Sequence, residues 1–205
     1  MQRQLGLIGI LVTCAASLGA QNQDEGHWPV TLGLKAGIPV TDMFTSGNSG
    51  FSGTNLITNT TSYGSAYSSS NPRYEFGASA EFHAPFHLRF EVDGLFKPGR
   101  FDSNIGSASG LTTSHTSFNQ WEIPGVFKYN VSLGHFRPFL DFGASYRHIS
   151  TIDQRTYLAA VAPSFNDNAR EIRNRNSFGG VAGFGITFKK GPFELTPEAR
   201  YTRWG

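Results

Sequence analysis

Cysteine is nearly missing from this protein. The only one, Cys14, sits in an apolar N-terminal stretch, so the rest of the sequence can form no disulfide and no cysteine-based metal or catalytic centre. Charge is also scarce, at 16% of residues with a net charge of +2, which leaves no basic field for nucleic acid. No run reaches the roughly 20 apolar residues that a membrane-spanning helix needs. The signatures GxSxG, HExxH, CxxC and the phosphate-binding P-loop do not occur. What remains is rich in glycine and aromatics, with 24 Gly, 18 Phe and 7 Tyr in 205 residues. That composition fits one domain of many strands joined by polar loops, not a helical one.

Residues 1–20 have the three parts of a secretory signal peptide. Arg3 gives a positive start, Leu5 to Leu18 form an apolar run of small residues, and Ser17, Gly19 and Ala20 offer a cleavage site. Lipoprotein processing at Leu11-Val12-Thr13-Cys14 is the less favoured alternative, because Thr13 is a poor residue before a lipidated cysteine. Residues 21–205 then form the mature domain. With no helix available, an integral mature protein has to be a β-barrel.

Beyond the leader, apolar and polar residues alternate with a period of two, the mark of strands with two different faces. Seven stretches show it, beginning near Val30, Tyr74, Leu88, Trp121, Phe136, Phe178 and Phe193. Each is close to the roughly 9–11 residues that a tilted strand needs to cross a bilayer. Connections alternate between short turns (around Pro85, residues 130–134 and Gly191) and long polar segments at about 40–71, 98–116 and 149–176. Short turns at one end and long loops at the other are the pattern of outer-membrane barrels.

The two faces decide between a membrane barrel and a soluble lipocalin-like one. One face carries both signs of charge: Glu75, Glu81, Arg89, Glu91, Asp93, Glu122, Lys128, Arg137, Asp141, Glu194, Glu198 and Arg200. Such groups can pair inside a lumen that excludes water. The other face has small residues mid-strand (Ala78, Ala80, Ala144, Ala182) and aromatics towards the ends. Tyr74, Trp121, Tyr146, Phe178 and Tyr201 are placed in an outer girdle, with Phe82, Phe86, Tyr129, Phe136, Phe188 and Phe193 in an inner one.

In strand periodicity and loop alternation, residues 28–204 resemble the small outer-membrane barrels related to the OmpA transmembrane domain and OmpX. The resemblance implies an antiparallel up-and-down transmembrane β-barrel of about eight strands in the bacterial outer membrane. It also implies insertion by the barrel assembly machinery. Leu195 to Trp204 looks like a penultimate strand of that pattern. With seven strands counted, the expectation is a C-terminal truncation that lacks the closing strand; the alternative is that Trp28–Val40 or a loop hides an extra one.

Chemistry is sparse. His148 and Ser150 share the outward face where a lipid headgroup would lie, resembling the placement in lipid A deacylases, but the neighbouring outward positions Asn174 and Asn176 are amides. No catalytic, cofactor or metal residue is assigned; His83, His87, His115 and His135 read as turn, lumen or isolated histidines. Arg73, Lys97, Arg100, Arg147, Arg155, Arg170, Arg173, Arg175, Arg200 and Arg203 fall at or beyond the outer ends. They form either a solvated rim or a set of partners for lipopolysaccharide phosphates. The expected role is structural or surface-interacting, without an open pore and with the loop ligand unassigned. Membrane lipid and lipopolysaccharide are the expected partners. The rivals are a lipid-modifying enzyme and a soluble lipocalin-like ligand-binding barrel.

Overall fold

The computed structural model describes residues 7–16, 30–40, 47–53, 61–69, 72–107, 110–131, 136–158, 164–166, 172, 174–190 and 193–205. These form eleven strands: β1 (Leu7–Ala16), β2 (Val30–Pro39), β3 (Gly47–Gly53), β4 (Thr61–Ser69), β5 (Glu75–His83), β6 (Leu88–Ser107), β7 (Gly110–Asn130), β8 (Phe136–Leu158), β9 (Ser164–Asn166), β10 (Asn176–Lys190) and β11 (Phe193–Trp204). No helix occurs among the described residues.

Eight of the strands close into a ring. β1 pairs with β2, β2 with β5, β5 with β6, β6 with β7 and β7 with β8, all antiparallel. β8 then pairs with β10, β10 with β11, and β11 returns to β1. Closure gives every strand of the ring a partner on both sides, so the wall has no open edge.

All seven strands expected from periodicity are present. The eighth place is held by Leu7–Ala16, the segment read as the apolar core of a signal peptide. It runs from Leu7 opposite Thr202 to Ala16 opposite Phe193, and on its other side from Gly9 opposite Pro39 to Ala16 opposite Leu32. An uncharged ten-residue run containing Ile8, Ile10, Val12 and Thr13 has the length and β-branching of a spanning strand. The composition that suits an export leader therefore also suits the seam between β2 and β11.

The main departure from expectation lies in the outer segments. Most of 98–116 and the start of 149–176 are not loops: β6 continues to Ser107, β7 begins at Gly110 and β8 continues to Leu158. Past this level the outward positions are polar, among them Arg100, Asp102, Asn104, His115, Ser117, Asp153 and Arg155, so alternation of hydrophobicity fades while backbone pairing continues. The segment 40–71 likewise contains a hairpin, β3 on β4, and β4 adds to β6 along Phe101–Gly106. With β9 on β8, the outer extensions make an open sheet in the order β3-β4-β6-β7-β8-β9.

Two local features shape the wall. At the inner end, the turn from Pro85 to Leu88 places Phe86 and His87 at φ 63° and 64°. Both central residues with positive φ make a type I′ hairpin turn, whose twist matches that of the strands it joins. At the outer end, β7 and β8 pair as Gln120–Ile149 and then Phe118–Ile152. The extra β8 residue is a β-bulge, so Ile149 and Ile152 both face inward and Asp153 and Arg155 turn outward.

Candidate functional sites: a filled lumen and a raised outer wall

Alternation sorts the side chains as the sequence indicates. Leu34, Phe142, Phe178 and Phe184 are each more than 60% exposed on the outside of the ring. Lys35, Glu75, Glu91, Asp93, Glu122, Lys128, Asp141, Glu198 and Arg200 are buried within it. The outward aromatics run across neighbouring strands, as Phe76–Phe96–Trp121 at the outer level and Phe90–Phe127–Phe142 further in.

The centre of the lumen is a network of ion pairs. Arg200 donates from Nε to Asp141 at 2.8 Å, from Nη1 to Asp93 at 2.6 Å and from Nη2 to Glu91 at 2.6 Å. Its Nε also lies 2.6 Å from Glu198. Lys35 Nζ reaches Glu91 at 2.6 Å and Asp93 at 2.8 Å, and Lys128 Nζ reaches Glu91 at 2.7 Å and Glu198 at 3.2 Å. These groups come from β2, β6, β7, β8 and β11, so the network ties the ring together across its axis. Gly183 leaves room for it: a Cβ there would collide with Asp141 Oδ1.

Other layers close the bore above and below. Towards the outer end, Lys97 pairs with Glu75 at 2.5 Å and Glu122 at 2.6 Å, and the Arg147 guanidinium lies 4.2 Å from the Trp204 ring. Above them Phe101, Phe118, Ile149, Ile152 and Ile172 form a buried apolar cap. The Phe118 ring lies over Gly99, where a Cβ would overlap it. Towards the inner end, Glu81 accepts from Arg89 at 2.6 Å and contacts His83 at 3.0 Å. The space between Glu81, Glu91, Lys128 and Glu194 there is only about 20 Å³.

Several sequence-predicted residues take different places. Lys97, Arg147 and Arg200 are buried inside the ring, not on the outer rim. Arg73, Arg100, Arg155, Arg175 and Arg203 are exposed, as expected of a rim. Arg170, Arg173 and His135 lie outside the described residues. His148 and Ser150 face outward as expected but do not pair with each other. His148 Nδ1 is 2.7 Å from Asn176 Oδ1, and Ser150 donates to the Asn119 carbonyl at 3.2 Å. Among the described residues, no three His, Cys, Asp or Glu side chains form a candidate metal-ligand set.

The sequence reading missed the apolar cap and one outer cavity. The cavity, about 290 Å³, is lined by Arg100, His115, Thr116, Ser117, Asp153 and Arg155. Arg100, Ser117 and Asp153 are register partners on β6, β7 and β8, and Asp102, His115 and Arg155 form the next rung out. His115 Nδ1 lies 2.6 Å from Asp102 Oδ1, its ring meets Tyr157 edge-on, and Arg155 lies 3.8 Å from Asp153. Neither feature has a signature in period-two alternation, because the bulge in β8 resets the phase.

The sequence matches no protein-family model and no curated protein. Among solved structures the protein is similar to a major outer membrane protein from Thermus thermophilus at 9% identity and a TM-score of 0.35. That alignment covers 98% of this protein and 100% of the other.

Proposed function

We propose that the protein is an outer-membrane β-barrel that conducts no solute and holds a raised β-wall in the medium as a contact surface. The observation that carries this reading is the continuation of β6, β7 and β8 well past the outer aromatic level. From Phe96 to Ser107 the strand extends roughly 35 Å at the usual rise per residue. That extension recruits β3, β4 and β9 into one sheet instead of ending in loops. The ionic network and apolar cap support the absence of a pore, because they fill the bore with side chains.

The distribution of faces opposes a lipocalin-like barrel, which would be apolar inside and charged outside. His148 and Ser150, each engaged with another group, lack the hydrogen bond a nucleophile and its base need, which supports a non-enzymatic role. In this reading lipid surrounds the apolar belt and the barrel assembly machinery inserts the protein. Leu7–Ala16 lies inside the stretch expected to act as an export leader; were residues 1–20 removed after Gly19 or Ala20, β1 would leave the ring and β2 and β11 would lose their shared partner. N-terminal sequencing of membrane-extracted protein distinguishes that outcome from retention of Leu7–Ala16 in the wall.

Cysteine labelling tests the orientation. Asn104→Cys on the wall should react with a membrane-impermeant maleimide on intact cells, and Phe86→Cys at the inner turn only after the membrane is opened. Equal labelling of both, or protein recovered in the soluble fraction, would refute the proposal.

A further inference from the structure

We infer that the cavity on the outer wall binds the phosphorylated saccharide headgroup of an outer-leaflet glycolipid; this rests on the membrane orientation proposed above. Position is the first argument. The cavity faces outward from the ring, on the same side as the lipid belt. Arg100 lies four residues beyond Phe96 in β6, and Phe96 pairs with Trp121 at the outer aromatic level. Four residues advance roughly 13 Å along a strand, and with a tilt of about 45° that is about 10 Å above the girdle. This is headgroup height, not acyl-chain height.

Chemistry is the second argument. Arg100, His115 and Arg155 come from three adjacent strands and line one concavity. Two guanidiniums offer planar forks suited to phosphate oxygens. Asp153 and the Ser117 hydroxyl line the same cavity and supply acceptors for sugar hydroxyls. A patch of cations alone would suit a bare anion. A lining with both donors and acceptors suits a ligand that carries phosphate and hydroxyls together. The volume of about 290 Å³ accommodates a saccharide unit with its phosphate.

The bulge is the third argument, because it is what assembles the site. Without the extra residue between Ile149 and Ile152, the β8 alternation would direct Asp153 and Arg155 into the lumen beside the apolar cap. Bulges that re-aim side chains in this way recur beside binding sites.

The test uses the folded full-length protein in neutral detergent micelles, with folding verified by heat-modifiable gel mobility. It is titrated with lipid A, with lipid A stripped of its phosphates, and with soluble glucosamine 1-phosphate. Saturable binding of lipid A is expected, at least roughly tenfold tighter than either other probe. Arg100→Gln/Arg155→Gln should lose that preference, whereas Arg203→Gln, an exposed arginine on β11, should keep it. Three results would each overturn the inference: equal binding by the double variant, equal binding of the dephosphorylated lipid, or equal binding of the soluble sugar phosphate. Flotation of the protein with phosphatidylcholine vesicles, scored separately, reports on the membrane reading. If it fails to float, the orientation is wrong; if it floats without preferring lipid A, only the cavity assignment is.

Discussion

Replacing Arg200 with methionine should be among the most destabilising single changes in the lumen. The side chain keeps comparable length and packing but loses the guanidinium that meets Glu91, Asp93, Asp141 and Glu198. Glu91, Asp93 and Glu198 would keep Lys35 or Lys128 as partners, whereas Asp141, which pairs with Arg200, would lose its cation. Leaving buried charges unpaired in this way costs about 3–5 kcal/mol. Arg200→Lys should recover part of the loss, since a single ammonium cannot span acids that a planar fork reaches in several directions. Arg200→Met combined with Asp141→Leu removes one stranded acid along with the cation. It should therefore cost less than the sum of the single changes, by about 0.5–3 kcal/mol. Urea titration of vesicle-embedded protein, followed by the gel-mobility difference between folded and unfolded forms, reads each value. A loss under about 1 kcal/mol for Arg200→Met, with strict additivity in the double variant, would refute the claim that the network ties the ring.

The inner turn should be improvable: Phe86→Asn with His87→Gly suits the two positive-φ positions better and should raise stability by about 1 kcal/mol in the same titration. On the lipid face, Ala182→Arg near mid-strand should cost about 2–4 kcal/mol, whereas Leu88→Arg at the inner end of β6 should cost about 0–1 kcal/mol. Equal penalties at those two depths would be inconsistent with a bilayer around the belt.

The faces of the ring strands were legible because an apolar exterior and a filled, charged lumen place opposite residue types at alternate positions. Glu91, Asp93, Lys128, Asp141 and Arg200 could thus be placed on one face before any pairing was known. Their mutual geometry was not legible, since it depends on strand stagger and on room left by residues such as Gly183. Lys97 and Arg147 were misplaced onto the rim because charge near a strand end reads as solvated. Each instead has its own buried partner, Glu122 or the Trp204 ring. The outer wall escaped notice for a related reason: Ser103, Ser114 and Thr116 are buried polar residues in paired strands, so no hydrophobic rhythm marks them. The bulge at Ser150–Thr151 then reversed the phase of β8. That reversal hid both the cap residue Ile152 and the outward pair Asp153 and Arg155.

The central claim is that the ring turns its apolar face to lipid and its charged face inward. Nuclear Overhauser contacts from lipid acyl protons to methyl groups, recorded on the folded protein in bicelles, test it most directly. Leu34, Ala144 and Ala182 should show such contacts, and Val126, Thr116 and Ile152 should show none. Acyl contacts at Val126, with Leu34 and Ala182 seeing only water, would contradict the account.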